Sequence, residues 1–356
     1  MPELRFGLCV PIFASPGPAL FRTPGYEQLH AGTTMELGYL ADELGYDSLW
    51  VADHLMLGAE GAILEGWTVL AGLAARTRRA RLGMLHQAHY LRQPAVAAKM
   101  VATLDQISGG RFVYFLDAGR NAGEQLAYGL PRPGDPQTVL EQVEEGLRLC
   151  RELWTAEQPV DFDGRWYHLT QAICTPPPAQ RPYPPVWFGE GDAALTELTA
   201  RVGQGWNSTP VPAARFGSRV EELRAACERV GRPFGELEIS VELQTLVAAD
   251  ESGLRAALGA LARTAERHGG EPDAGWRAYA QNGGEGGGGR PSLPHATVWG
   301  TPAEVAAQLH AYVREGATHF LLWFLDAPGE TGLRLFASEV APRLRALAPS
   351  GEGGGG

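Results

Sequence analysis

Short apolar runs and helical apolar faces alternate along almost the whole chain. Runs at 4 to 12, 47 to 53, 81 to 86, 111 to 117, 185 to 189, 205 to 209, 237 to 247 and 318 to 325 have the length and continuity of strands buried on both faces. Helical spacing fills the intervals. Leu37, Leu40, Ala41 and Leu44 share one face of a helix over 35 to 44 that Thr33 or Thr34 can cap and Gly45 ends. Further helices are expected over 67 to 75, 137 to 154, 192 to 202, 216 to 230, 254 to 267 and 333 to 347, with another beginning near Thr301 and Pro302. The clearest unit spans 81 to 120. There a strand is followed by Pro94 at a helix start, by Ala95, Ala98, Val101, Ala102 and Ile107 on the helix, by the stop Ser108-Gly109-Gly110, and by a second strand.

Two strands joined in this way are parallel, with a right-handed crossover. Eight such units predict a single (β/α)8 TIM barrel, an α/β fold, ahead of a doubly wound sheet. The pattern lapses twice. Residues 155 to 184 contain VDFDGRWYHL, which reads as a hairpin around Asp163-Gly164, and then TPPPAQRPYPP, which its prolines extend. Residues 269 to 294 are polar and rich in glycine, consistent with either a disordered insertion or a lid. One barrel domain over 1 to 348 carries both insertions, and the Gly-rich tail 349 to 356 is expected to be disordered. The Pro/Gly-rich loop at 14 to 25 is either a plain surface connection or a substrate-facing element.

Composition narrows the partners. With 44% hydrophobic and 20% charged residues the chain is that of a globular protein, and its net charge of −11 disfavours nucleic acid and anionic membrane surfaces. Cys9, Cys150, Cys174 and Cys227 lie too far apart for a metal motif or a compact disulfide framework, so no metal is expected. No apolar stretch is long enough to span a membrane and no export signal stands at the start, so a cytoplasmic protein is expected.

Barrel enzymes place their chemistry at the C-terminal ends of the strands. Those ends are polar here: Asp53-His54 after strand two, His86-Gln87 with His89 close by after strand three, Asp117 and Arg120 after strand four, Glu190 and Asp192 after strand five, and Asp326 after strand eight. Each has a structural alternative as a cap or a packed polar residue. Their convergence on one mouth is what points to a site.

R-L-G at 81, R-x-P-A at 92 and A-K-M-x-A-T-L-D-x-x-S-G-G-R-F at 98 together resemble the bacterial luciferase-like monooxygenase family. The likeness extends through D-E-L-G-Y-D-S-L-W-V-A-D-H at 42, F-D-G-R-W-Y at 162, V-G-Q-G-W-N at 202 and V-W-G-T-P-A-E-V at 298. It implies a TIM barrel, a homodimer, and reduced FMN or the deazaflavin coenzyme F420 as cofactor. His54, His86 and Arg120 then become the catalytic candidates, and Asp53, Gln87, Asp117, Gly119, Gly189, Glu190, Gly191 and Asp192 the cofactor-binding ones. A cis peptide not preceding proline is implied around His86-Gln87.

The first functional expectation is a reduced-FMN-dependent monooxygenase acting on a small organic substrate, with a flavin reductase as a possible supplier of reduced cofactor. The second is a deazaflavin-dependent hydride-transfer enzyme. The third is a barrel that has lost catalysis and acts as a binding or partner subunit. Two departures from the family pattern bear on the choice: Phe115-Leu116-Asp117-Ala118-Gly119-Arg120 stands where relatives carry a glycine-rich run, and Gly189-Glu190-Gly191-Asp192 puts carboxylates beside an expected phosphate.

Overall fold

The computed structural model describes residues 3–119, 121–131, 134–191, 193–282 and 290–347. Eight parallel strands close into a barrel: β1 (Arg5–Cys9), β2 (Ser48–Val51), β3 (Arg81–Met84), β4 (Phe112–Asp117), β5 (Val186–Gly189), β6 (Gly205–Ser208), β7 (Glu238–Val247) and β8 (His319–Phe324). Each pairs with the next, and β8 returns to β1 through Arg5↔His319 to Leu8↔Leu322. These are the eight runs expected from sequence.

Glycine at inward positions makes room for the large rings that fill the barrel. Trp50 and Trp187 lie 5.2 Å apart, with Phe115 6.0 Å from Trp50. A Cβ on Gly83 would meet Trp50 at 2.3 Å, and one on Gly205 would meet Trp187 at the same distance. The interior is thus a packed core rather than a pore.

Below these rings lies a partly buried polar network. The Glu238 carboxylate accepts from Arg5, Arg81 and His319, and His319 Nε2 lies 2.7 Å from the Ser48 hydroxyl, which also accepts from the Trp50 indole. Burial works to raise the Glu238 carboxyl, but the bonds from His319 and Arg81 outweigh it and hold it well below the usual range.

The helices cover the outside: α1 (Ala31–Leu44), α2 (Gly66–Arg76), α3 (Pro94–Ser108), α4 (Pro136–Thr155), α5 (Ala193–Val202), α6 (Ala213–Arg229) and α7 (Pro302–Arg314), with the last helical stretch from Thr331 to Leu347. The first of them begins earlier than expected, because His30 rather than Thr33 or Thr34 accepts at its N-terminus. Gly45 ends it at φ 89°, and Gly109 ends α3 at φ 68°, both in the left-handed region that glycine enters freely.

The hairpin of the first insertion is present as Val160–Asp163 against His168–Ala172. It docks through Tyr167, whose hydroxyl lies 2.7 Å from His89 Nε2; burial pushes that imidazole down to about 4, so it is a neutral packing residue. The second insertion is not simply a glycine linker. Ala274–Asn282 is a helix whose buried Trp276 and Tyr279 pack with Leu254, Leu258 and Trp299. Residues 283–289 and the tail 349–356 lie outside the described residues.

A short strand absent from the eight runs, Val298–Gly300, pairs with β7. The strand β7 is ten residues long; its lower half, Glu238 to Val241, pairs with β6, and its upper part, Thr245 to Val247, pairs with Val298–Gly300 above the mouth.

Candidate active site

The C-terminal ends of the strands form a rim with two arcs. On the arc from β2 to β6, His54 follows β2 and its Nδ1 lies 3.3 Å from Glu124 Oε2. Glu124 comes from a short helix, Ala122–Ala127, after β4. Its carboxylate is buried, and Oε1 accepts from the backbone N–H groups of Leu55 and Met56, the latter at 2.8 Å. A carboxylate can only accept, so it fixes the proton on Nδ1 and leaves Nε2 of a half-exposed imidazole with its lone pair outward.

His86 is held differently. Its ring packs 4.4 Å from Phe115, its Nδ1 lies 3.4 Å from Asp117 Oδ2, and Asn207 Nδ2 approaches Nε2 at 3.4 Å. Asn207 accepts from Ser240 through its oxygen, so its amide nitrogen faces the ring and the two histidines carry the same tautomer. The Leu85–His86 peptide is cis. Asp117 also accepts from the N–H of Gly119 at 3.0 Å.

Two candidates turn away from the mouth. Asp53 is buried with both oxygens engaged, accepting a fork from Arg92 at 2.8 and 3.0 Å and the N–H of Ala88 at 3.1 Å. Burial raises its carboxyl, opposed by Arg92. It ties the β2 end to the β3 loop instead of offering itself to a cofactor. Gln87 is buried too, donating to the Tyr114 hydroxyl at 3.3 Å on the helix side of the sheet. Alternation along the strand end explains this: His86 faces inward, so the next side chain faces out. Arg120 and Asp192 lie outside the described residues.

Glu190 is placed where sequence put it, but its charge is compensated. It pairs with Arg219 of α6 and accepts from the Ser208 hydroxyl at 3.0 Å, the Thr209 N–H at 2.9 Å and the Thr209 hydroxyl. The cavity beside it, about 640 Å³, runs between the β4 and β5 ends and helices α4, α5 and α6. Gly119 and Gly191 line it. A Cβ on Gly119, at φ 78°, would meet the Tyr90 ring at 2.0 Å, so only glycine keeps the backbone open there.

Among the described residues the cavity's ionic lining is Arg215 and Arg219 against Glu190 and Glu222. Arg215 has no carboxylate partner among the described residues, and it is the side chain available to a phosphate. A glycine-bordered cavity that ends on an arginine has the chemistry to take a phosphate group.

The other arc, from β7 through β8 to the 14–25 loop, carries Glu242, Gln244, Trp323, Phe13, Phe21 and Arg22. Glu242 accepts from the Trp323 indole at 2.7 Å and pairs with Arg22 at 2.8 Å. Gln244 accepts the Arg22 N–H at 2.5 Å and donates to Leu20 O at 2.9 Å, so the loop is fixed over the mouth. Asp326 lies just past β8, where burial pushes its carboxyl up to about 6 while it accepts the Gly332 N–H.

A second cavity of about 530 Å³ opens at the N-terminal end, lined by Arg5, Arg81, Trp187 and Glu238. Its ionic groups bond one another, and barrel geometry assigns that end to stability.

Sequence reading missed Glu124, Asn207 and Arg219. Glu124 had one signal, a lone acid among small residues just after a strand end; the other two are reached only through the barrel's closure.

Comparison with known proteins gives a consistent result. The family model for luciferase-like monooxygenases matches residues 5–319. An F420-dependent glucose-6-phosphate dehydrogenase of Kineococcus radiotolerans is 28% identical over 338 residues, covering 90% of this chain and 95% of that one. The corresponding protein of Nakamurella multipartita is 28% identical over 344 residues, covering 91% and 96%. Among solved structures, the monooxygenase RslO1 from Streptomyces bottropensis superimposes with a TM-score of 0.72 at 25% identity, covering 95% of this chain and 99% of that one. The long-chain alkane monooxygenase LadA reaches 0.77 at 14% identity, covering 98% and 92%, a likeness of fold.

Proposed function

This chain belongs to the luciferase-like monooxygenase family of oxidoreductases, and from that premise we propose that it is a deazaflavin-dependent enzyme that takes hydride from a small organic alcohol. The observation that carries this reading is the charge balance of the cofactor cavity. Among the described residues two arginines face two glutamates there, and Glu190 is already bound to Arg219. The deazaflavin's phosphate is a diester with one negative charge, whereas FMN carries a monoester with nearly two. A near-neutral lining favours the single charge. The names of the relatives from Kineococcus and Nakamurella support the same choice.

The oxidised deazaflavin, when bound, supplies a hydride acceptor. Gly119, Gly189 and Gly191 would border its tail and Arg215 would meet its phosphate. Nε2 of His54, its tautomer fixed by Glu124, takes the hydroxyl proton as the alcohol is oxidised. His86 and Asp117 present polar groups beside it. The reduced-FMN monooxygenase reading, with a separate flavin reductase, stands second on the likeness to RslO1.

We also infer a homodimer through the α2–α3 face, where a groove lined by Trp67, Met100 and Ile107 lies beside exposed Val96. Among the described residues no helix is long and apolar enough to cross a membrane.

The deciding experiment titrates the purified protein with F420, followed by quenching of its fluorescence, and with FMN, followed by absorbance. Oxygen uptake with reduced FMN is measured in parallel. Tight F420 binding without oxygen uptake is expected. Tight FMN binding with substrate-dependent oxygen uptake would replace this reading with the monooxygenase one.

A further inference from the structure

The cavity of about 530 Å³ at the N-terminal end of the barrel is walled by apolar side chains, among them Leu4, Phe234, Leu237 and Val313. Several of its polar groups are already engaged. Both oxygens of Glu238 are saturated, Oε1 by Arg81 and His319 and Oε2 by Arg5 and Arg81. Gln204 accepts from the Val186 N–H and donates to Val202 O, and the Thr318 hydroxyl donates to Ile239 O.

Donors are left over. Arg5, with 40% of its side chain exposed, spends one guanidinium N–H on Glu238, and among the described residues the others have no partner. Trp187 is buried where it lines the cavity, and a Cβ on Gly205 would meet its Nε1 at 2.4 Å. With glycine there, no side chain stands to receive the indole N–H, and among the described residues nothing accepts from it.

A cavity that offers N–H donors from a cation and an indole, with apolar surface for the rest, suits a ligand with an accepting anionic head and an apolar body. Acids at its edge limit the charge of that head. Glu3 and Glu236 also line the cavity, the latter 3.2 Å from Arg232, so a second negative charge on the ligand would meet carboxylate.

We propose that this cavity is a binding site for an apolar monocarboxylate whose head is taken by Arg5. It needs neither the cofactor nor the hydride-transfer reading. Barrel chemistry belongs to the other end, so the occupant is held and released unchanged, and by linkage it stabilises the fold.

Calorimetric and thermal titration of the full-length protein without cofactor tests it, with octanoate, octanol and octylamine as probes of one shape. Octanoate binds about tenfold more tightly than octanol, and octylamine binds weakest. The melting temperature rises once octanoate exceeds its Kd. Arg5→Met removes the tenfold preference and leaves octanol nearly unchanged. Arg215→Met, which alters the cavity at the opposite end, leaves octanoate unaffected. An Arg5 that served only structure would lower the melting temperature of the ligand-free protein and leave the ratio of octanoate to octanol as it was, which overturns the proposal. Octylamine binding as tightly as octanoate overturns it too, as does loss of octanoate binding in Arg215→Met.

Discussion

Glu124 and His54 are 70 positions apart in sequence, yet a carboxylate oxygen of one stands 3.3 Å from the imidazole Nδ1 of the other. The same carboxylate holds the two backbone N–H groups that follow His54. One acid therefore sets both where the ring stands and which nitrogen faces the mouth.

Glu124→Gln should lower kcat by about 10², because an amide can present its N–H to Nδ1 and reverse the tautomer. His54→Ala should cost about 10² or more. F420 affinity should stay within about twofold in both, since neither residue borders the phosphate cavity. Full kcat in Glu124→Gln would return the pair to a packing role.

Arg215→Met should weaken F420 binding about tenfold, and more at low ionic strength. Glu190→Gln should act in the opposite direction by freeing Arg219, tightening FMN about tenfold. Fluorescence and absorbance titrations at two salt concentrations read both. Salt-independent affinities would place the phosphate elsewhere.

Asp326 gives stability a definite pH dependence. Its carboxyl is raised to about 6 in the fold, so its favourable contribution is complete below about pH 4 and is lost as pH rises through about 6. The full effect is up to about 3 kcal/mol. Asp326→Asn should raise the melting temperature at pH 8 and leave it nearly unchanged at pH 4. A gain of equal size at both values would show that burial of charge is not the cause.

Barrel packing is tested by two glycines. Gly205→Ala, whose Cβ would sit 2.3 Å from the Trp187 indole, should cost about 2–3 kcal/mol by overpacking. Gly235→Ala meets nothing within 4 Å and should fall within about 0.5 kcal/mol of the starting protein in denaturant titration.

Light scattering at micromolar concentration should report a dimer, and Ile107→Asp on the exposed α3 face should shift it toward monomer. A monomer in the starting protein would remove that face from consideration.

All eight strands were legible because each is an apolar run between helix-period segments, and the polar rim followed from their ends. Side-chain direction was less legible. Asp53 and Gln87 stand at strand ends as expected, but Arg92 claims the first and the pleat turns the second outward. Glu190 looked like bare charge against phosphate until α6 brought Arg219 to it from 29 positions away. The helix at 274–282 was hidden by the glycines around it, although Trp276 and Tyr279, three apart, were its sequence signal.

The overhang of β7 separates two tasks that a shorter strand would have to combine. Its lower half closes the barrel against β6, and its last two residues, Leu246 and Val247, pair with Trp299 and Gly300 beyond the end of the β8 ladder. The segment between Ala248 and Thr297 can therefore be lengthened, shortened or exchanged without touching a barrel hydrogen bond. In evolutionary terms that stretch is a cassette: descendants of one barrel can acquire a new wall for the mouth while inheriting its histidines unchanged.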